Sequence, residues 1–213
     1  MVAIISNVLL AMSVHFNFDA FTNPVMIFSM EYIDTGLLKW GLIADMFGFY
    51  LLLLPAVFYL YIWMKEQSNW GHLATFCGSA YVLTGATGAA ILAAAWPAIL
   101  NQYALSEIRD QPALRSDFSL VTNIVYAGMW NMLEVLLAGI WWLVIGRLLL
   151  RQYKFFGGIT ILLGIVALVN GVANITGMVS LSAVSLNIYL GLAPAWAIWL
   201  GLTLILYKVK LAA

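Results

Sequence analysis

This sequence predicts an all-α, polytopic membrane protein, a six-transmembrane-helix bundle with both termini cytoplasmic. Three observations carry that reading. Of the 213 residues, 64% are apolar and 8% charged, against about a quarter charged in an ordinary soluble domain. The mean hydropathy is +0.99. The apolar residues gather into six stretches between polar breaks, on the scale of the ~20 residues that a helix needs to cross a bilayer. So little charge cannot cover a water-facing surface. The formal net charge of zero leaves no electrostatic footprint for nucleic acid. The single cysteine, Cys77, excludes an internal disulfide and any multi-cysteine metal or redox site.

The spans are expected at about 2–18, 37–64, 73–100, 118–150, 155–178 and 184–207, all within a single transmembrane domain over 1–213. The first is short. Either the helix continues through His15 and Phe18, or the segment thins the bilayer locally. Its lack of a basic leading region argues against a cleaved signal. The second span closes at Lys65-Glu66-Gln67-Ser68-Asn69, the fourth at Arg147 and Arg151, and the fifth at a break at Ser180-Leu181-Ser182. Two short interfacial helices are expected, over 24–30 and 105–114. In the first, Asn23 suits a cap and Pro24 the first helical turn. Trp40, Trp63, Trp70 and Trp96 lie near expected span ends, where amphipathic rings prefer the headgroup level. Pro55 and Pro194 fall inside spans and are expected to kink them.

Charge sets the orientation. Lys65, Arg147, Arg151, Lys154, Lys208 and Lys210, six of the nine basic residues, flank the breaks assigned to one side. Lys39, Arg109 and Arg115 share the other side with Asp19, Glu31, Asp34, Glu107, Asp110 and Asp117. Basic residues concentrate on the cytoplasmic side, and an even number of spans returns both ends there.

Two carboxylates fall inside apolar spans, Asp45 and Glu134. An acidic residue at a helix centre costs roughly 2.5–3.5 kcal/mol on insertion scales. Such a group must face other helices or a wet cavity. At about 1.5 Å per residue, Asp45 lies roughly 12 Å in from Leu37, and Glu134 roughly 24 Å along its helix from Phe118, so both are expected to open toward one cavity. At α-helical spacing Asn123, Ala127, Trp130, Glu134 and Trp141 share a stripe, with Asn131 bordering it. Asn170 and Asn174, with Ala167 and Gly177, form one face of the fifth span. Small residues let helices approach and asparagine bond across the gap, so this face is expected to meet Glu134. The candidate ligand-binding residues are therefore Asp45, Trp130, Asn131, Glu134, Asn170 and Asn174, with Glu134 and Asp45 also the candidate catalytic groups. The competing reading is structural: buried carboxyls with amide partners lock helix register, and paired asparagines act as packing glue.

No metal and no cofactor is expected. His15 and His72 fall at opposite sides, no His-x-x-x-His or Glu-x-x-His pattern occurs, and no nucleotide-binding glycine pattern appears.

The run Trp40-Gly41-Leu42-Ile43-Ala44-Asp45-Met46-Phe47-Gly48, through Pro55, resembles a segment of small multi-span bacterial membrane proteins of unknown function. So does Trp130-Asn131-Met132-Leu133-Glu134 with Gly139-Ile140-Trp141-Trp142. The resemblance covers about half the chain. It implies a multi-pass protein of a bacterial cytoplasmic membrane and transfers no catalytic residue.

Three functions fit. The first is transport or permeation of a small solute or ion, with Asp45 and Glu134 as proton- or cation-sensitive groups. The second is a non-catalytic membrane subunit or binding module. The third is an intramembrane acid–base enzyme, of isomerase or cyclase type, on a lipophilic substrate. There a carboxyl lined by Trp130, Trp141, Trp196, Tyr50 and Tyr126 would serve as general acid. The expected partners are the lipid bilayer, a small solute, proton or lipophilic ligand, and a second copy or larger membrane complex.

Overall fold

A computed structural model describes residues 1–206. Among them every regular element is helical. They are α1 (Val2–Ser13), α2 (Asp19–Thr22), α3 (Thr35–Asp45), α4 (Leu54–Met64), α5 (Trp70–Leu105), α6 (Gln111–Asn123), α7 (Val135–Leu149), α8 (Lys154–Thr176) and α9 (Val179–Leu206). Two π-helical segments interrupt the α geometry, Met46–Tyr50 after α3 and Ile124–Glu134 between α6 and α7.

Five helical stretches are long and apolar enough to cross a membrane: Thr35–Met64, Trp70–Leu105, Gln111–Leu149, Lys154–Thr176 and Val179–Leu202. The chain therefore reads as a multi-pass membrane protein. The segment expected as a first span over 2–18 is instead the 12-residue α1, about 18 Å long at the α-helical rise. The chain turns away just after it, with His15 and Phe16 in left-handed backbone at φ 51° and 61°. Lys208 and Lys210, used above for orientation, lie outside the described residues.

The other boundaries differ for local reasons. The expected short helix over 105–114 is a correction. Helix α5 runs on to Leu105, an exposed turn carries Arg109 bridged to Glu107 (3.2 Å) and Asp110 (3.7 Å), and Pro112 seeds the first turn of α6. The 24–30 stretch is a 3-10 helix, Pro24–Ser29. Pro55 follows the π segment and a 3-10 turn at Leu51–Leu53 and is the second residue of α4. Its ring would clash with the carbonyl four residues earlier in a regular helix, which fits the loss of α geometry there. Helix α8 ends at Gly177, a left-handed cap at φ 73°. The break thus precedes the expected Ser180–Ser182 site, and Gly177 caps rather than packs. Trp40 and Trp70 are exposed, but Trp63 and Trp96 are buried, because α5 carries Trp96 well inside its span.

The described residues group into two compact units. The first is Met1–Leu53 with Val82–Trp130; the second is Leu54–Tyr81 with the chain from Asn131 onward. Helix α5 and the Gln111–Leu149 helix contribute to both, so no linker marks the division in the sequence.

In the first unit α1 packs antiparallel on α3. Ser6 donates to the Gly41 carbonyl at 3.0 Å, and the main-chain N–H of Asp34 to that of Ser13 at 3.1 Å. Gly41 faces Leu10 and Gly48 faces Ala3, in each case closer than a side chain would allow. The core joins Val14, Ile27, Leu38 and Leu42 to Leu92, Trp96 and Phe118. The Arg115 guanidinium bonds the Tyr103 hydroxyl and lies over the Phe28 ring at 5.6 Å.

In the second unit α7 and α8 run antiparallel along a glycine seam. Gly139 and Gly164 face each other's carbonyls, Gly146 faces Ile161, Gly157 faces Leu150, and Gly171 faces Leu136. Lipid offers apolar groups no advantage in burying themselves, so close backbone approach of this kind is what holds membrane helices together. Helix α9 lies antiparallel to α8.

Candidate functional site

Asp45 and Glu134 each sit at a junction between α and π geometry. Asp45 is the last residue of α3, directly before the first π segment, and Glu134 is the last residue of the second π segment, directly before α7. Bonding from i to i+5 widens the helix there, and single-turn π-helical bulges recur at functional sites. Through 124–134 the helix is π rather than α, so the 3.6-residue count behind the expected stripe does not apply there. Trp130 and Glu134 belong to different units, as do Asp45 and Glu134. Each carboxyl has its own aromatic surroundings within its unit.

In the first unit Asp45 is half-buried and lies in the neighbourhood of Tyr126. Tyr126 stacks on Trp130 at 5.1 Å and meets Trp96 at 5.9 Å. The Trp130 N–H donates to the Gly85 carbonyl (3.2 Å), and that of Trp96 to Thr122 (2.9 Å). The Tyr50 ring sits where a Cβ at Gly85 would be.

In the second unit Glu134 is 3% exposed and acts on Tyr189, which shares a hydrogen bond with Tyr81. Both tyrosines are buried. Their rings contact Trp142 at 5.6 Å, and Tyr81 also contacts Trp141 at 6.0 Å. Trp196 lies edge-on to both tryptophans at 5.8 and 5.9 Å, and its N–H donates to Thr160 at 2.8 Å. By contrast, the N–H groups of Trp141 and Trp142 are buried with no acceptor. Leaving a buried donor unpaired costs about 1–3 kcal/mol each.

The asparagines serve a different junction from the one expected. The Asn170 amide donates to the Ser182 carbonyl (2.9 Å) and the Ser185 hydroxyl (3.3 Å) on α9, while the Asn174 amide donates back to Asn170 (2.9 and 3.3 Å). The face of α8 that meets α7 is the glycine seam. Asn131 is half-buried.

Sequence reasoning missed Tyr81 and Tyr189. A tyrosine well inside a span must find a partner for its hydroxyl, and that requirement was the available signal. It also missed an open cleft of about 690 Å³ in the first unit, lined by His15, Asn17, Ser29, Glu31 and Tyr32, which contains neither carboxyl. Among the described residues no group of three or more His, Cys, Asp or Glu side chains could hold a metal ion.

No family model, curated protein or solved structure matches this chain.

Proposed function

We propose that this protein is a multi-pass component of a bacterial cytoplasmic membrane that passes a small ion, protons foremost, with Glu134 and Asp45 as the groups that take up and release the proton. The observation that supports this most directly is the position of each carboxyl at an α/π junction, within electrostatic reach of a tyrosine. Shifting a π segment by one residue of register turns the adjoining side chain by about 100°, enough to change which neighbours a carboxyl faces. The hydrogen-bonded Tyr189–Tyr81 pair offers Glu134 a short hydroxyl path for the proton. Intramembrane carboxyls are costly to keep, and this role gives a reason for keeping two.

Proton flux in proteoliposomes tests the reading. A potassium diffusion potential is imposed and an internal pH dye followed. The wild-type protein should acidify the lumen well above empty vesicles, and Glu134→Gln should slow this at least about tenfold, the loss of one titrating group from the rate-limiting step. Wild-type flux no faster than that of empty vesicles, or unchanged flux in both Glu134→Gln and Asp45→Asn, would end the proposal.

The same reading places both termini in the cytoplasm, with α1 completing a sixth, short crossing. Single cysteines introduced after Cys77→Ala check this with a membrane-impermeant maleimide. Ser106→Cys should label in intact cells, and Ser68→Cys and Val2→Cys only after lysis. Labelling of Val2→Cys in intact cells would leave five crossings. A second reading, an acid–base enzyme on a lipophilic substrate, draws support from the aromatic shell about Glu134.

A further inference from the structure

The geometry points to a binding site in the second unit for a neutral, membrane-soluble molecule bearing a carbonyl oxygen on a planar ring, of quinone type, held by the indole N–H groups of Trp141 and Trp142. This site borders the Tyr81–Tyr189 pair used in the proton-flux reading, but it rests on the two indole N–H groups, which that reading does not use.

The two donors are the anomaly that carries it. Trp141 and Trp142 are among the most completely buried side chains, at 0% and 1% exposed, yet neither N–H has an acceptor. The fold satisfies indoles elsewhere: Trp96 donates to Thr122, Trp196 to Thr160 and Trp130 to the Gly85 carbonyl. Buried polar groups are nearly always paired, and an exception calls for a ligand, an ion or a water. Here two exceptions are adjacent in sequence and their rings touch at 5.6 Å.

The surroundings select the class of acceptor. The nearby faces are aromatic, from Tyr81, Tyr189 and Trp196, which suits a flat ring and offers no cation to hold an anion. Tyr81 and Tyr189, whose rings contact Trp142, bring the further hydroxyl donors of this shell. Gly78 packs against the face of the Trp141 ring: a Cβ there would fall 2.7–2.9 Å from its Nε1, Cδ1 and Cε2 atoms. Trp141 lies eight residues before Leu149, the end of α7, or roughly 12 Å along the helix. That depth is deeper than the headgroup boundary where the ester carbonyls of bilayer lipids reside. Helix α9 is the wall that can yield. It supplies Tyr189 and Trp196, is largely exposed outside its packed face, and carries Pro194 between them, where the missing N–H weakens the helix.

The test uses full-length protein with ¹⁵N-labelled tryptophan in nanodiscs of diether phospholipid, which have no ester carbonyl. Decyl-benzoquinone is titrated against decylbenzene, with the indole resonances assigned through Trp141→Phe and Trp142→Phe. The expected result is a downfield shift of both indole protons with the quinone, saturable, and none with decylbenzene. Replacing either tryptophan by benzothienylalanine, which keeps the shape and removes the N–H, should weaken quinone binding about fivefold, as loss of one net hydrogen bond implies. Equal responses to the two probes, no response, or a shift seen only in ester-lipid nanodiscs would overturn the site, the last by assigning the donors to bilayer lipid. The wild-type titration decides the matter even where a substituted protein fails to fold.

Discussion

Gly157→Ala is expected to destabilise the protein by about 1–3 kcal/mol, while Gly158→Ala, one residue further on, stabilises it by up to about 1 kcal/mol. The two glycines lie in the first turn of α8 and differ only in what surrounds them. A Cβ at Gly157 would fall 2.5 Å from the Leu150 nitrogen and 2.8 Å from its Cα. These are backbone atoms, in the turn that joins α7 to α8, and no rotamer change can move them aside. Accommodation must come from the helices separating along the seam, which loosens Gly146 against Ile161 and Gly139 against Gly164 as well. Nothing lies within 4 Å of a Cβ at Gly158. There alanine only lowers the backbone freedom of the unfolded chain and favours the helix. Thermal unfolding of the two variants in one detergent measures the difference. Equal shifts of the same sign would mean that the α7–α8 seam is not as close as described.

Asn170→Leu is expected to cost about 1–2 kcal/mol, since an interhelical hydrogen bond within a membrane contributes roughly 0.6 kcal/mol on average and up to about 1.7 and this side chain makes two to α9. Leucine has nearly the same volume, so the loss reads the hydrogen bonds rather than a cavity. Asn174→Leu should cost less than half as much, because its amide bonds only back onto α8. Proton flux of refolded Asn170→Leu should match that of the wild type. The opposite pattern, intact stability with lost flux, would return Asn170 to the ligand-binding role that its spacing first suggested. Reversible unfolding followed by fluorescence, with the flux assay on the same preparations, separates the two.

The membrane character of the chain was legible because it rests on additive quantities. Apolar length decides whether a helix can cross, and three of the five long helices begin within about three residues of the expected start. The fourth span begins at Gln111, seven residues before its expected start, and nothing in Ile124–Glu134 announces the i to i+5 bonding seen there. The cap at Gly177 was visible as a glycine and misassigned to packing, because a left-handed φ is a property of the backbone path. Of the asparagine pair, Asn170 bonds across to α9 and Asn174 back onto α8, a division that spacing does not show because a helix has several faces.

What the residues alone determined is therefore the solvent: a chain of these proportions belongs in a bilayer, because transfer costs scale with composition and depend little on arrangement. What only the tertiary structure decided is company. Which tyrosine lies beside each carboxyl, which helix receives Asn170, and which indoles go without an acceptor all depend on the rotation of helices about their axes. Glycine contacts and π turns set that rotation at distances of a few ångströms, a scale that linear spacing does not encode.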